Sequence, residues 1–204
     1  MHRFLLPLAA TAGVLLVCAA LLVAEAPRAT AAATTFEIDA SHSAILFRLD
    51  HLGVSAAYGR FNKFSGSFVL DGNDPAGCSV QLVVDAASVD TGHEGRDDHL
   101  RKPDFFNVAE HKTITFKSTR VSKTTSPKHL DVTGDLTLRG VTKQVTIRME
   151  KIGEKDLGER FGYRAGFEGT LRIKRTDYGM GWGVDKGSLG DEVKLILAFE
   201  GVKK

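Results

Sequence analysis

Beyond an N-terminal apolar run, the chain alternates apolar and polar side chains with a period of two. In residues 130–139, Leu130, Val132, Leu136 and Leu138 share one face, and Asp131, Thr133, Asp135, Thr137 and Arg139 share the other. In residues 144–150, Val145, Ile147 and Met149 oppose Gln144, Thr146, Arg148 and Glu150. In residues 161–174, Phe161, Tyr163, Ala165, Phe167, Leu171 and Ile173 oppose Arg164, Glu168, Arg172 and Lys174. Val193, Leu195, Leu197 and Phe199 share a face in residues 193–200. Similar runs cover residues 44–49, 61–70 and 80–86, and a weaker one covers 113–121. Such alternation predicts half-buried strands, each with one wet and one dry face. Arg139-Gly140-Val141 marks a tight hairpin turn, and the polar stretch 122–128 with Pro127 marks a hairpin loop. About eight antiparallel strands of this kind close into a barrel or stack as a sandwich. The one helix expected is 94–101, stopped by Pro103, with a second short turn over 104–108. No repeat, low-complexity tract or linker divides the chain.

The apolar run changes the domain count rather than the fold. Met1-His2-Arg3 is a short basic segment and residues 4–24 are almost wholly apolar. Ala29-Thr30-Ala31 and Ala31-Ala32-Ala33 offer small-residue cleavage sites. Residues 1–33 therefore read as a secretory signal peptide cut after residue 31 or 33, with an uncleaved anchor as the alternative. Residues 34–204 then form one domain, expected in the periplasm or outside the cell. That domain keeps a single cysteine, Cys78, so it can form no internal disulfide and must hold by packing. Cys78 reads as structural, behind a Gly-rich turn, rather than as a reactive thiol. The formal net charge of +2 carries no basic face of the kind that binds nucleic acid.

Polar constellations point away from catalysis. Asp39, His42 and Ser43 include triad residue types, but adjacent strand residues face opposite ways, and no G-x-S-x-G elbow exists. Beyond His2, the six remaining histidines, His42, His51, His93, His99, His111 and His129, form no H-x-x-x-H or H-E-x-x-H spacing. No catalytic group, metal site or cofactor is expected. His42 and His51 bracket one strand and suit hydrogen bonding at a barrel mouth. The Gly179–Gly183 cluster lacks the strand–helix context of a nucleotide loop and reads as a wide loop carrying Trp182 at a barrel rim.

Residues 88–118 are the most informative stretch. They set Arg96, Asp97, Asp98, His99 and Arg101 directly before the apolar pair Phe105–Phe106. A charged turn beside aromatics suits a ligand with a polar head and an apolar body. Arg offers a planar donor fork for an anionic head, and on a short helix Arg96 and His99 share a face. Of the twelve Phe all but Phe4 lie beyond the leader, against one Trp and three Tyr. A barrel interior lined by Phe and Val fits an apolar ligand, although inward Phe residues also fill any ordinary barrel core.

Segments in register along nearly the whole domain bear a family likeness: Asp39-Ala40-Ser41-His42-Ser43, His51-Leu52-Gly53-Val54, Gly59-Arg60-Phe61-Asn62-Lys63-Phe64, Arg96-Asp97-Asp98-His99-Leu100-Arg101, Asp104-Phe105-Phe106, Ile114-Thr115-Phe116, Gly134-Asp135-Leu136-Thr137-Leu138-Arg139-Gly140 and Arg175-Thr176-Asp177-Tyr178-Gly179-Met180. In order and spacing they resemble the YceI-like family of exported, lipocalin-like proteins. One departure is His111-Lys112, where the family usually carries Pro before the ITF-like strand. The resemblance implies an all-β, extended antiparallel lipocalin-like barrel of about eight strands with a short helical segment near 94–106. It also implies non-catalytic binding, transport or sequestration of a polyprenyl, isoprenoid quinone or fatty amide, and often a homodimer. Membrane association for lipid exchange goes with such a role.

On that basis Ile45, Phe47, Phe61, Phe64, Phe68, Phe116, Leu136, Phe167 and Leu171 are expected to line a tunnel. Phe105 and Phe106 are expected to gate it, with His42, Arg96 and His99 near the polar head. Two other roles remain open: an accessory or enzyme acting on a quinone or prenyl pyrophosphate, and a filled-barrel interaction module for stress response or adhesion.

Overall fold

The structure is a computed structural model and describes residues 33–72 and 74–204. The leader assignment falls on residues outside the described ones. In chain order the strands are β1 (Thr34–Ile38), β2 (Ala44–His51), β3 (Ser55–Phe61), β4 (Phe64–Leu70), β5 (Ser79–Asp85) and β6 (Val89–Asp90). Helix α1 (Glu94–Leu100) follows, then β7 (Thr113–Lys123), β8 (His129–Leu138), β9 (Val141–Asp156), β10 (Tyr163–Lys174) and β11 (Leu189–Lys203). None of the described helices is long and apolar enough to cross a membrane.

These strands form a closed antiparallel barrel of eight long strands, three of which are interrupted. β1 and β2 lie end to end along one edge of β11: Ile38 opposes Gly201, and Ala44 opposes Ala198. β3 and β4 likewise run end to end, β3 beside β2 and β4 beside β1. β5 and β6 repeat the arrangement beside β4 and β3. The wall continues through β7, β8, β9 and β10 back to β11. The interruptions sit in one band: Asp39 N–H donates to Glu200 C=O (2.8 Å), Asn62 N–H to Ser88 C=O (3.1 Å) and Asp85 N–H to Lys63 C=O (2.9 Å). The periodicity of residues 61–70 therefore spans two strands, with Asn62 and Lys63 at the break. Phe161, counted in the run 161–174, instead lies in the β9–β10 turn, exposed beneath the guanidinium of Arg160.

The inward faces make one apolar core from Phe36, Phe47, Phe61, Phe68, Phe116, Leu136, Phe167 and their neighbours. Glycines at 59 and 201 are among those that make room for rings. A Cβ at Gly59 would stand 2.2 Å from Phe47 Cζ across the β2–β3 ladder. A Cβ at Gly201 would stand 2.5 Å from the Phe68 ring and 2.8 Å from Phe36 Cβ. The Phe36 and Phe68 rings stack with centroids 5.1 Å apart beside that seam.

The sharpest turns are short hairpins. Leu52, Gly53 and Val54 join β2 to β3, with φ of 56° at Leu52 and 68° at Gly53, and Arg139 and Gly140 join β8 to β9 with φ of 51° and 73°. Positive φ at both central residues is the mirror-image turn whose twist suits a right-handed hairpin. Helix α1 covers residues 94–100, with Arg101 as its C-cap, and its N-terminus is capped by His93, whose Nδ1 accepts from Arg96 N–H. The chain then coils back, Phe106 N–H donating to Leu100 C=O (2.9 Å) and Val108 N–H to Arg101 C=O (3.1 Å).

At the closure seam, Arg164 on β10 donates from Nη1 to Asp39 Oδ2 (2.9 Å) and to Glu200 Oε1. Ser41 Oγ, the His42 ring and Arg164 hold the Asp39 carboxyl well below the usual carboxylate range. A lowered folded-state pKa stabilises the protein fully above about pH 4, and that contribution fades as pH falls through the folded value. Asp39→Asn is expected to lower unfolding free energy by about 1 kcal/mol at pH 7. The difference from the unsubstituted protein should shrink in acid, as read by urea melts from pH 7 to pH 3.

Candidate functional site

The barrel is hollow. A cavity of about 520 Å³ runs inside it, within the roughly 300–1,000 Å³ of small-molecule sites. Ile45 and Phe47 on β2, Phe61 on β3, Phe68 on β4, Phe116 on β7, Leu136 on β8, and Phe167 and Leu171 on β10 all line it. So do Phe105, Phe106, Arg96 and His99. Each inward position follows from the pleat, which sends every second side chain of a strand to the same face. Aromatic rings form a ladder up the wall: Phe47 to Phe61 centroids lie 5.8 Å apart, and Phe61 to Phe106 5.4 Å.

Two expected positions lie elsewhere. Phe64 packs edge-on against Phe199, with centroids 6.3 Å apart, and Phe199 takes the lining place. His42 sits on the outside of the closure seam, its side chain 62% exposed, with Nδ1 2.9 Å from Asp39 Oδ2. It is the last residue of a one-turn 3-10 helix between β1 and β2 that turns its ring away from the interior. Ser41 Oγ lies 3.2 Å from the same Nδ1, so no relay passes through the imidazole. Ser43 is separate, accepting from Glu200 N–H (2.9 Å). Asp39, His42 and Glu200 bring possible metal-ligand atoms within 4.8 Å of one another, but the Arg164 guanidinium already bonds both carboxylates and would oppose a cation there.

The polar end is built by α1 and two loops. Arg96 donates from Nε to Thr91 Oγ1 (2.7 Å) and from Nη2 to Thr91 C=O (2.8 Å), which aims the guanidinium across the wall. Asp97 is buried and accepts from Thr91 N–H (2.9 Å) and Oγ, anchoring the helix. Arg101 is structural: it donates to Ala87 C=O, Val89 C=O and Asp98 Oδ1 and so ties α1 to β6. The His99 ring meets Phe105 and Trp182 edge-on, each with centroids 5.0 Å apart, and its Nε2 lies 3.2 Å from Asp104 Oδ2.

Arg175 is a charged lining residue that sequence reasoning missed. It is 3% exposed and donates to the carbonyls of Gly190 (2.8 Å), Met180 (2.7 Å) and Leu189 (3.3 Å). None of these partners is a carboxylate, so a guanidinium charge stands in the wall of an apolar cavity. Burial pulls its pKa down from the usual arginine range, with the Asp191 charge opposing that shift. The signal was a basic residue, next to Lys174, between an alternating strand and a glycine cluster. His51 and Trp182 also line the cavity, Trp182 in the loop where the glycines place it.

At the opposite end, a second and more polar cavity of about 450 Å³ opens among Lys123, Lys128, Lys151, His129 and Tyr163. Leu70, Cys78, Leu130 and Phe167 line both cavities and so form the partition between them. Cys78 lies half-buried just before β5, its Sγ accepting from Asp71 N–H (3.2 Å), and burial pushes the thiol pKa up.

Known proteins resemble this chain along nearly all of the described domain. Residues 36–201 match the model of the YceI-like domain. A UPF0312 protein of Pseudomonas aeruginosa (strain LESB58) is 44% identical over 179 residues, covering 88% of this chain and 91% of the relative. Protein YceI of Escherichia coli O157:H7 is 42% identical over 183 residues, covering 90% of this chain and 93% of the relative. Among solved structures, BcnA of Burkholderia cenocepacia superposes with a TM-score of 0.73 at 25% identity, covering 80% of this chain and 98% of that one. A polyisoprenoid binding domain from Saccharophagus degradans, implicated in plant cell wall breakdown, shares the fold with a TM-score of 0.63 at 19% identity, covering 84% and 99%.

The three carbonyls that Arg175 gathers flank the loop that carries Trp182: Met180 at its start, and Leu189 and Gly190 where it enters β11. Arg175→Met should cost about 2 kcal/mol, because charge-assisted bonds are lost and their acceptors left buried. Hydrogen exchange should quicken within residues 179–190 while β7 and β8 stay protected.

Proposed function

The chain belongs to the YceI-like family, and from that premise we propose that its barrel binds a long apolar lipid of the isoprenoid kind without chemically altering it. The observation that carries this is the 520 Å³ cavity, walled by side chains of eight strands that are apolar almost throughout. An apolar chain inside it gains about 0.8 kcal/mol for each methylene removed from water. It needs area rather than hydrogen bonds, which is what rings and branched aliphatics supply. A polyprenyl chain or the tail of an isoprenoid quinone meets that demand. The solved relative described as a polyisoprenoid binding domain supports the same ligand class.

The polar head belongs at the end where Arg96, His99 and Arg175 face the cavity. A quinone carbonyl or a phosphate oxygen can accept from either guanidinium, and a charged head finds two cations in a largely apolar wall. The role that follows is sequestration or transport of the lipid through an aqueous compartment. The apolar leader with its small-residue cleavage sites supports the periplasm or the cell exterior.

Native mass spectrometry of protein purified from its own host, followed by organic extraction, tests the reading. A stoichiometric isoprenoid is expected, and a clean apo mass unchanged by quinones and prenyl phosphates overturns it. Phe47→Asp and Phe167→Asp place a carboxylate in the apolar wall and should weaken binding by about a hundredfold or more. Arg96→Ala should cost less than about tenfold, because the tail dominates. Both are compared on protein that keeps a cooperative thermal transition.

A further inference from the structure

We propose that the rim of the tunnel at the β2–β3 hairpin is a docking surface for the bilayer from which the lipid is taken or to which it is delivered. The inference rests on the lipid-binding reading above and adds the place and chemistry of exchange.

Large apolar side chains stand exposed around this mouth. Val54 is 82% exposed, Leu52 57%, Tyr58 59% and Trp182 47%. Leu52 N–H donates to Ser188 C=O (3.0 Å), so the hairpin tip is fastened to the Trp182 loop and the two move as one rim. Tyr58 and Trp182, with His51 and Ser55 on either side of the tip, also line the cavity, so the rim is continuous with the tunnel wall.

The hairpin tip carries a residue that its backbone does not favour. Leu52 has φ of +56° at the first central position of the turn that Val54 N–H closes by donating to His51 C=O (3.2 Å). Asn, Asp or Gly adopts that conformation readily, and a leucine adopts it at a cost. Local stability therefore argues against Leu there, and so does its exposure to water. The two costs are offset together if the side chain enters an apolar phase. A lipid moving between membrane and tunnel supplies that phase, since a bilayer pressed to the rim spares the tail from crossing water.

The rim charges are mixed. Asp50 pairs with Arg48 (2.7 Å), His99 faces Asp104 (3.2 Å), and Asp185 neighbours Lys186 in the loop. Insertion is therefore driven by apolar area rather than by anionic headgroups, and it persists in salt. Trp182 is the only tryptophan of the chain and reports on the rim directly.

The test uses ligand-free full domain and phosphatidylcholine vesicles, read by flotation and by Trp182 emission. Flotation with a blue shift, at both low salt and about 0.5 M NaCl, is expected. Leu52→Asn with Val54→Ser should weaken flotation by about tenfold or more. The Leu52→Asn change suits the turn, so the melting temperature should hold or rise. Retained binding of a short-chain quinone by the double variant would show the tunnel intact, which separates this proposal from the lipid-binding reading. Absence of flotation in the unsubstituted protein, flotation unchanged in the variant, or flotation abolished by salt would overturn it. So would light scattering that shows the rim occupied by a second copy, with the variant turned monomeric.

Discussion

Along one edge of β11, residues 189–198 pair with β2 and residues 201–203 pair with β1. That shared edge lets a wall of eight strands close while three of them are broken in the middle. Closure leaves no free edge where β1, β4 and β5 run, so every ladder there is paired on both sides. The band of breaks is held by main-chain bonds from Asp39, Asn62 and Asp85, and by the Arg164 guanidinium reaching Asp39 and Glu200. An eight-strand ring is just wide enough to be filled by its own side chains or to hold one ligand. Glycines at 59 and 201 let Phe47 and Phe68 lie against the wall instead of across the space.

Beyond the breaks the sheet ends at β6, and the remaining wall is supplied by α1 and residues 101–112. The covering segment brings Arg96, His99, Phe105 and Phe106 to the cavity, while Asp97 and Arg101 fasten it. Apolar and polar groups thus occupy different parts of one molecule: strands supply the apolar wall, and the helix and loops supply hydrogen-bond donors. Both kinds of group converge at the same mouth, where Trp182 packs on His99 and Phe105.

Much of this was legible in the chain. Strands β8, β10 and β11 show alternation because one face is packed and the other wet, and β7 shows it more weakly. The helix was legible because Pro103 limits it and its residues break the alternation. β3 was hidden, since its inner face carries Ala57 and Gly59 where the Phe47 ring takes the volume. The far end of β9, residues 151–156, was hidden because it extends past the core and both its faces are wet. In the site, Phe47, Phe61, Phe68, Phe116 and Phe167 follow the parity of their strands, whereas Phe64 shares the parity of Phe68 and yields its place to Phe199. Arg175 and the outward turn of His42 could not be read from parity, because one depends on carbonyls gathered from both ends of the loop that follows it and the other on a single 3-10 turn.

The seam also sets the order of events when the chain folds. β1 finds one neighbour in β4, a few dozen residues along, and its other in the last residues of the chain, with Phe36 opposite Lys203. Partners so far apart in sequence meet only after a large loss of chain entropy, so closure is a late and slow step. Until β11 arrives, β1 and β2 share an unpaired edge, and the interior phenylalanines stand open to water. The newly made chain therefore passes through a stage in which the apolar lining of the barrel is available to other chains, and its greatest exposure to aggregation comes before its last strand is in place.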